Sequence, residues 1–334
     1  MRKPAVLVTG ANGEIGQSLI ARLAAEHRVV AFDLNPLSPE LARQCAAVVV
    51  GDILDQDLIQ RIVSEYAISR IYHLAALLST RAEYTPDAAH RVNVGGTLHL
   101  LALAAEESRR NGWPVRFVFP SSIAVYGLPG LEEKAAAGKV REGEFNAPIT
   151  MYGCNKLYCE HLGRYYMRHY GQLNARFEPS GVDFRSIRFP GLISAHTVPS
   201  GGTSDFGPEM IHHAAAGRSY ACFVPEEARI PFMAMPDAVD AIVGLADAPQ
   251  STLTQLVYNV GSFSISAAGF RDRDLRAFPG AQVSFDVDRA RSGIVASWPA
   301  DVDDSPARQD WGWDPKYDFE ACFSDYLLPA LTQK

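Results

Sequence analysis

Tyr152-Gly153-Cys154-Asn155-Lys156 sets a phenol and an ammonium four residues apart, on one face if the segment is helical. A free phenol ionises near pH 10. A tyrosine acting as a base near neutrality therefore needs its pKa lowered by about 3 units, roughly 4 kcal/mol. A neighbouring lysine cation favours the phenolate and supplies part of that bias. Such a pair is suited to drawing the proton from an alcohol. The spacing alone is weak, because chance produces it often on amphipathic helices, so partners must support it. One is close by in kind: Phe119-Pro120-Ser121-Ser122-Ile123-Ala124-Val125-Tyr126-Gly127 ends an apolar run on a hydroxyl. The C-terminal ends of strands are where open α/β sheets bind their ligands.

A second constellation opens the chain. Thr9-Gly10-Ala11-Asn12-Gly13-Glu14-Ile15-Gly16 is a G-x-x-G-x-x-G turn between a predicted strand and a predicted helix. Glycines there permit a tight turn and close backbone approach, so a pyrophosphate rests on the unpaired N–H groups of the helix N-terminus. Asp33 closes the next apolar run, at the spacing where a carboxylate accepts the ribose hydroxyls of a dinucleotide. A carboxylate repels a 2′-phosphate, and Leu34-Asn35-Pro36 offers no arginine to bind one, so NAD is expected over NADP. Asp52 and Ile53 are placed at the adenine, with a helix-capping role for Asp52 as the plain alternative. Leu74, Ala75 and Ala76, small or apolar after His73, let a nicotinamide ribose approach. A nicotinamide cation would add to the bias on Tyr152.

These residues need a scaffold. Runs rich in Val, Ile and Phe at 5–9, 29–33, 46–50, 71–76, 115–120 and 184–189 alternate with helical patterns, including long ones at 87–108 and 151–170. That alternation predicts an α/β fold: a Rossmann-type, doubly wound parallel sheet with right-handed crossovers. Residues 128–150, charged and Gly/Ala-rich, are expected as a surface loop. After Pro190 the rhythm decays into turns and short strands at 220–224, 257–260 and 283–287, read as a smaller, mixed C-terminal substrate lobe. The expected division is a dinucleotide-binding domain over 1–180, with a later return of the chain at about 231–262, and a substrate lobe over 181–334.

Bulk properties narrow the partners. The 334 residues are 47% hydrophobic, enough for a large core, and carry a net charge of −7. That charge argues against nucleic acid and anionic membrane surfaces. The apolar run at 5–8 passes into the glycine turn, too short for a signal sequence, and no stretch approaches the roughly 20 apolar residues of a membrane span. Five scattered cysteines without paired spacing read as free thiols, so a cytoplasmic location is expected, with the lumen of a reducing organelle as the alternative. Cys154, Cys159 and His161 cluster in sequence, but no tetrahedral metal set is visible and none is expected. His212-His213 and the tyrosines at 165, 166 and 170 read as packing residues.

With both constellations in place, the chain resembles, nearly end to end, the extended short-chain dehydrogenase/reductase family. In that family the catalytic hydroxyl precedes V-Y-G by two residues, which maps onto Ser122 and not Ser121; the catalytic tyrosine and lysine map onto Tyr152 and Lys156. The resemblance also implies that Asn93 braces the active-site helix, that Asn93, Tyr152, Lys156 and Pro190 lie at the cofactor, and that Lys156 anchors its nicotinamide ribose. Within the family, three stretches are similar to NAD-dependent L-threonine 3-dehydrogenases of short-chain type: Ala75-Ala76-Leu77-Leu78-Ser79; Arg188-Phe189-Pro190-Gly191-Leu192-Ile193-Ser194 with Gly201-Gly202-Thr203-Ser204-Asp205; and Ser297-Trp298-Pro299 with the run 303–313. This implies oxidation of L-threonine at its 3-hydroxyl, with the zwitterion held by Ser79, Gly191, Gly202 and Thr203 and covered by Trp298. A helix- or turn-capping role is the plain alternative for Ser79 and Thr203. Arg176, Arg185, Arg188 and Arg218 are dispersed and form no basic cluster of the kind a nucleotide diphosphate would want. The alternatives are a nucleotide-sugar 4-epimerase or dehydratase and a non-catalytic NAD-binding sensor. Relatives pair through the two long helices, so a homodimer through 87–108 and 151–170 is expected.

Overall fold

The β-branched and aromatic runs form one seven-stranded, mostly parallel sheet in the computed structural model, whose described residues are 2–174, 179–199 and 201–332. Arg176 lies outside them. Across the sheet the strands are Val257–Asn259, Val182–Phe189, Val115–Ser122, Tyr66–His73, Lys3–Thr9, Val29–Asp33 and Ala47–Val50. Lys3–Thr9 runs parallel to both neighbours, with Val6 opposite Val29 and Leu7 opposite Ile71. The chain winds outward from this strand first one way and then the other. The reversal leaves the ends Thr9 and His73 side by side, at the position where such sheets take ligands.

Helices flank the sheet because their apolar stripes face it. Glu14–Leu23 buries Leu19, Ile20 and Leu23, and Gln56–Glu65 buries Ile59, Ile62 and Val63. The second is started by Asp55, whose carboxylate accepts from Leu58 N at 2.9 Å. Leu7, Ile68, Ile71, Leu100, Phe117 and Phe184 close the core at 0–1% exposure. Burying each such side chain contributes about 1.5–3 kcal/mol. The strand Val182–Phe189 is buried throughout although it carries Arg185. That guanidinium donates to Asp183 at 2.7 Å and to the carbonyls of Leu245 and Ala248 at 2.6 Å each, so the buried charge is fully engaged.

The α/β class and the mostly parallel sheet are as the sequence predicts, and several boundaries differ. The fourth strand starts at Tyr66 and ends at His73, not over 71–76, because half-buried Ser69 and Arg70 interrupt its apolar run. Residues 128–150 are not one loop. They hold the helix Leu131–Ala137 and the strand Lys139–Val140, which pairs with Asp301–Val302, a partner remote in sequence that no local pattern announces. The long helix expected at 87–108 runs unbroken over 86–111, as Pro86–His90, a wide π-helical turn over Arg91–Gly95, and Gly96–Asn111.

Two compact units interleave along the chain. The first comprises Met1–Ser121, Asn155–Ile187 and Ile242–Val257; the second comprises Ser122–Cys154, Arg188–Ala241 and Tyr258–Lys334. The second is built on a mixed three-stranded sheet ordered Phe263–Ser266, Arg229–Ala234, Gly191–Ile193. Its core is aromatic, with Phe232 and Phe270 edge to face at 4.9 Å. Among the described residues no helix is long and apolar enough to cross a membrane.

Candidate active site

The glycine turn lies in the first unit, between the strand Lys3–Thr9 and the helix Glu14–Leu23. Gly10 has φ +68°, and a Cβ there would stand 2.6 Å from Ala75 N, so only glycine lets the two strand ends approach. Gly13 is the N-cap, Glu14 and Ile15 start the helix, and Gly16 is buried in its first turn. Asn12 N donates to Asp33 Oδ2 at 2.9 Å and Asn35 N to Asp33 Oδ1 at 2.9 Å, fixing that carboxylate beside the turn. Side-chain-free backbone at a helix N-terminus, with a positioned acid next to it, fits a dinucleotide whose ribose carries free hydroxyls. Asp52 accepts from Leu54 N at 3.0 Å, while Ile53 is buried against Gly96.

At the end of the fourth strand the backbone is tethered. Leu74 N donates to Thr9 O at 3.0 Å, and Ala75 N to Thr9 Oγ1 at 3.4 Å. His73, to which no local pattern assigns a role, explains the tether. Thr97 Oγ1 donates to Asn93 O at 2.6 Å, so it must accept from His73 Nε2 at 3.0 Å. That makes His73 Nδ1 the acceptor for Thr9 Oγ1 at 2.8 Å. The ring is neutral, since burial and then the Lys156 charge push its pKa down to about 3. Asn93 grips Leu77 instead of reaching the active-site helix with its side chain: Oδ1 accepts from Leu77 N at 2.7 Å and Nδ2 donates to Leu77 O at 3.0 Å. Its backbone oxygen accepts from Cys159 Sγ on that helix at 3.5 Å. Leu74, Ala75 and Ala76 are half-buried, and Ser79, also half-buried, starts the helix Ser79–Tyr84.

Tyr152 and Lys156 stand one turn apart on the helix Met151–Arg168. Lys156 is 5% exposed; its Nζ donates to Pro120 O at 2.6 Å and lies 4.5 Å from the Phe119 ring centroid. Burial lowers its pKa to about 8, against the raising influence of Cys159 and Glu160. The Tyr152 ring keeps partial exposure, yet desolvation pushes its phenol above the ordinary value. The protein frame by itself therefore holds the phenol protonated, contrary to the sequence expectation that the lysine would lower it. The adjacent serines are distinguished by their bonds. Ser121 Oγ donates to Glu160 Oε1 at 2.5 Å, whereas Ser122 Oγ accepts from Ala124 N at 3.1 Å and keeps its own proton to donate.

In the second unit, Thr150 starts the Tyr152 helix by accepting from Gly153 N at 3.0 Å. A Cβ at Gly153 would overlap the Ala124 carbonyl, so this glycine lets the helix start press against the turn that follows Ser122. Tyr126, of the V-Y-G run, donates to Asn259 Oδ1 at 2.7 Å and anchors that turn. Buried Pro190 links the strand Val182–Phe189 to Gly191–Ile193. Gly191 lies opposite Phe232 in the small sheet. Gly202 N donates to Asp205 Oδ2 at 2.6 Å, and Gly202 O accepts from Arg291 Nη2 at 3.1 Å; Thr203 beside it is 4% exposed. Trp298 is 3% exposed, a wall of the core rather than a surface flap, and its buried Nε1 has no hydrogen-bond partner among the described residues. Cys154 is exposed and Cys159 buried, so the helix turns them apart.

Comparison with known proteins agrees with this geometry. A curated protein of Staphylococcus aureus, described as an uncharacterized epimerase/dehydratase, is 32% identical over 333 residues, covering 98% of this chain and 97% of its own. The L-threonine 3-dehydrogenase of Trypanosoma brucei superposes with a TM-score of 0.85 at 34% identity, over 99% of this chain and 98% of that one. The holo form of a GalE-like L-threonine dehydrogenase from Cupriavidus necator gives 0.85 at 33% identity, over 98% and 99% of the two chains. The model of the NAD dependent epimerase/dehydratase family matches residues 6–261. On the glycine turn with its tethered acid, the Tyr-Lys helix and this match together, the chain belongs to the NAD-dependent epimerase/dehydratase family.

Proposed function

We propose that this enzyme oxidises the 3-hydroxyl of L-threonine to 2-amino-3-oxobutyrate. When bound, NAD supplies the acceptor for the hydride leaving Cβ, together with a positive ring charge. The Gly10–Gly16 turn and Asp33 hold the dinucleotide, with Asp52, Ile53, Leu74, Ala75, Ala76, Asn93 and Pro190 completing its surroundings. Ser122 donates its hydroxyl proton to the reacting oxygen and orients it. Tyr152 acts as phenolate: its own proton is lost to solvent when the positively charged cofactor binds. It then takes the proton from the reacting oxygen and becomes a phenol, and the Lys156 cation one turn away favours the phenolate needed beforehand. Ser79, Thr203 and the backbone of Gly191 and Gly202 receive the ammonium and carboxylate of the substrate. The orphaned Trp298 indole N–H is one further donor suited to an anion.

The observation that carries this reading is the division of labour at the end of the strand Val115–Ser122: Pro120 O seats the lysine, Ser121 is committed to Glu160, and Ser122 keeps a proton to give. The similarity to L-threonine dehydrogenases over essentially the whole chain supports the choice of substrate. Assay of NADH formation with L-threonine, L-serine and L-allo-threonine tests it, with L-threonine expected to be preferred. No NADH from any of them, with interconversion of a nucleotide sugar, would favour a 4-epimerase. Tight NAD binding without turnover of any alcohol would favour a sensor.

A further inference from the structure

The helix Met151–Arg168 and the strand Val115–Ser122 are joined by two buried side chains that do not touch the reacting atoms in the mechanism above. Lys156 and Glu160 are one helical turn apart, 5% and 3% exposed. They reach consecutive residues of the strand: Lys156 Nζ donates to Pro120 O at 2.6 Å, and Glu160 Oε1 accepts from Ser121 Oγ at 2.5 Å. The cation and the anion thus form a two-rung clamp between two elements, with a neutral strand partner on each rung. Burial alone would favour loss of the ammonium proton, and the Phe119 face offsets this only in part. Glu160 is a buried carboxylate on the same helix. Ser121 holds it through a neutral hydroxyl, and its charge raises the Lys156 pKa against burial.

We propose that Glu160, held by Ser121, is a positioning residue that keeps the Lys156 side chain cationic and seated on the Pro120 carbonyl. The inference deepens the reading above, since there the lysine charge favours the Tyr152 phenolate. It also gives Ser121 a task of its own: fixing the carboxylate, while Ser122 handles substrate. The other titratable groups acting on the ammonium are Cys159 on its own helix and His73 on the strand Tyr66–His73, and Tyr152 lies one helical turn before it. His73 is held neutral, and burial pushes the Cys159 thiol up to about 11, so neither supplies a charge near neutrality. That leaves Glu160 as the anion in this set.

The test reads Lys156 directly, without turnover. Protein labelled with carbon-13 at the lysine ε-carbon is titrated by NMR, and the Lys156 resonance is assigned by its loss in Lys156→Arg. In Glu160→Gln, which retains an acceptor for Ser121 but no charge, the Lys156 midpoint is expected to fall by about one pH unit. An unmoved or raised midpoint in the folded variant overturns the proposal. Should Glu160→Gln lack a cooperative melt, Ser121→Ala decides: a smaller downward shift sustains the proposal and an unmoved resonance sinks it. A kinetic arm adds the functional readout. With L-threonine, the alkaline limb of kcat/KM in Glu160→Gln is expected to move to lower pH by the same amount, with Glu160→Asp restoring most of it. If L-threonine proves not to be a substrate, the NMR arm still stands, so the two readings fail separately.

Discussion

Lys156 Nζ donates to the carbonyl oxygen of Pro120 at 2.6 Å, one residue before the serine pair that ends the strand. The bond fixes the cation at the strand end while burial lowers its pKa to about 8. The sign follows directly: the charge is present below about pH 8 and lost as the pH rises through it. Activity that depends on this cation should therefore decline on the alkaline side. Lys156→Met, which fills the same apolar channel without the charge, is expected to reduce kcat by ~10²-fold or more. Stopped-time NADH assays across pH, with circular dichroism to confirm folding, check it.

Tyr152→Phe leaves the ring and removes the proton acceptor. Turnover should fall by ~10²–10⁴-fold while NAD affinity, measured by calorimetry, stays within a few fold. Ser122→Ala should lower kcat by ~10²-fold with a small change in KM for L-threonine, because it removes a donor whose bond strengthens as charge develops. Full activity in the Phe variant would end the mechanism.

Gly10→Ala tests the cradle. The backbone there has φ +68°, and the new methyl would stand 2.6 Å from Ala75 N, so the strand ends must part. NAD binding should be lost with a lowered melting temperature. Asp33→Asn tests selectivity, since removing the charge weakens NAD and relaxes the rejection of NADP; the ratio of the two affinities reports it.

Asp274 is fully buried, and neither carboxyl oxygen has a hydrogen-bond partner among the described residues. Burial raises its pKa to about 8, only partly offset by Arg273. The folded chain therefore binds a proton there that the unfolded chain, with a carboxyl near 3.9, releases. Between about pH 4 and pH 8 this group makes stability fall as pH rises. Asp274→Asn should gain melting temperature over the wild type at about pH 9 and lose that advantage at about pH 4, where both side chains are neutral. A constant difference across that range would rule the explanation out.

The helices Gly96–Asn111 and Met151–Arg168 border a groove of about 540 Å³ lined by Leu54, Val94, Leu98, Tyr158 and Leu162. Leu98 and Tyr158 there are 39% and 51% exposed. If the chain pairs through these two helices, the pair covers this groove. Light scattering of Leu98→Glu with Tyr158→Glu should show halved mass; an unchanged monomeric mass for the wild type would refute the dimer.

What the sequence disclosed tracks the range of the interactions. Val29–Asp33 is copied from its local pattern, and the Gly10–Gly16 turn is a local motif, so both were legible. The pairing of Lys139–Val140 with Asp301–Val302 spans half the chain and left no local trace. His73 looked like a strand residue, because its function rests on hydroxyls from Thr9 and Thr97 that only the fold brings together. Ser121 and Ser122 are one chemical type side by side, and only a family pattern separated them; the bond to Glu160 gives the physical reason. The rise of the Tyr152 phenol was missed for a related reason. Spacing reports a neighbouring charge but not the depth of burial that competes with it.

The wide turn over Arg91–Gly95 makes the residue count itself a design parameter. Removing one residue there would give a regular α-helix, locally better bonded, but would rotate the preceding segment against the following one by about 100°. Asn93 would swing off Leu77. Length changes, which chains ordinarily accommodate more readily than substitutions in their loops, are here the more damaging kind, in a stretch where many side-chain replacements would pass.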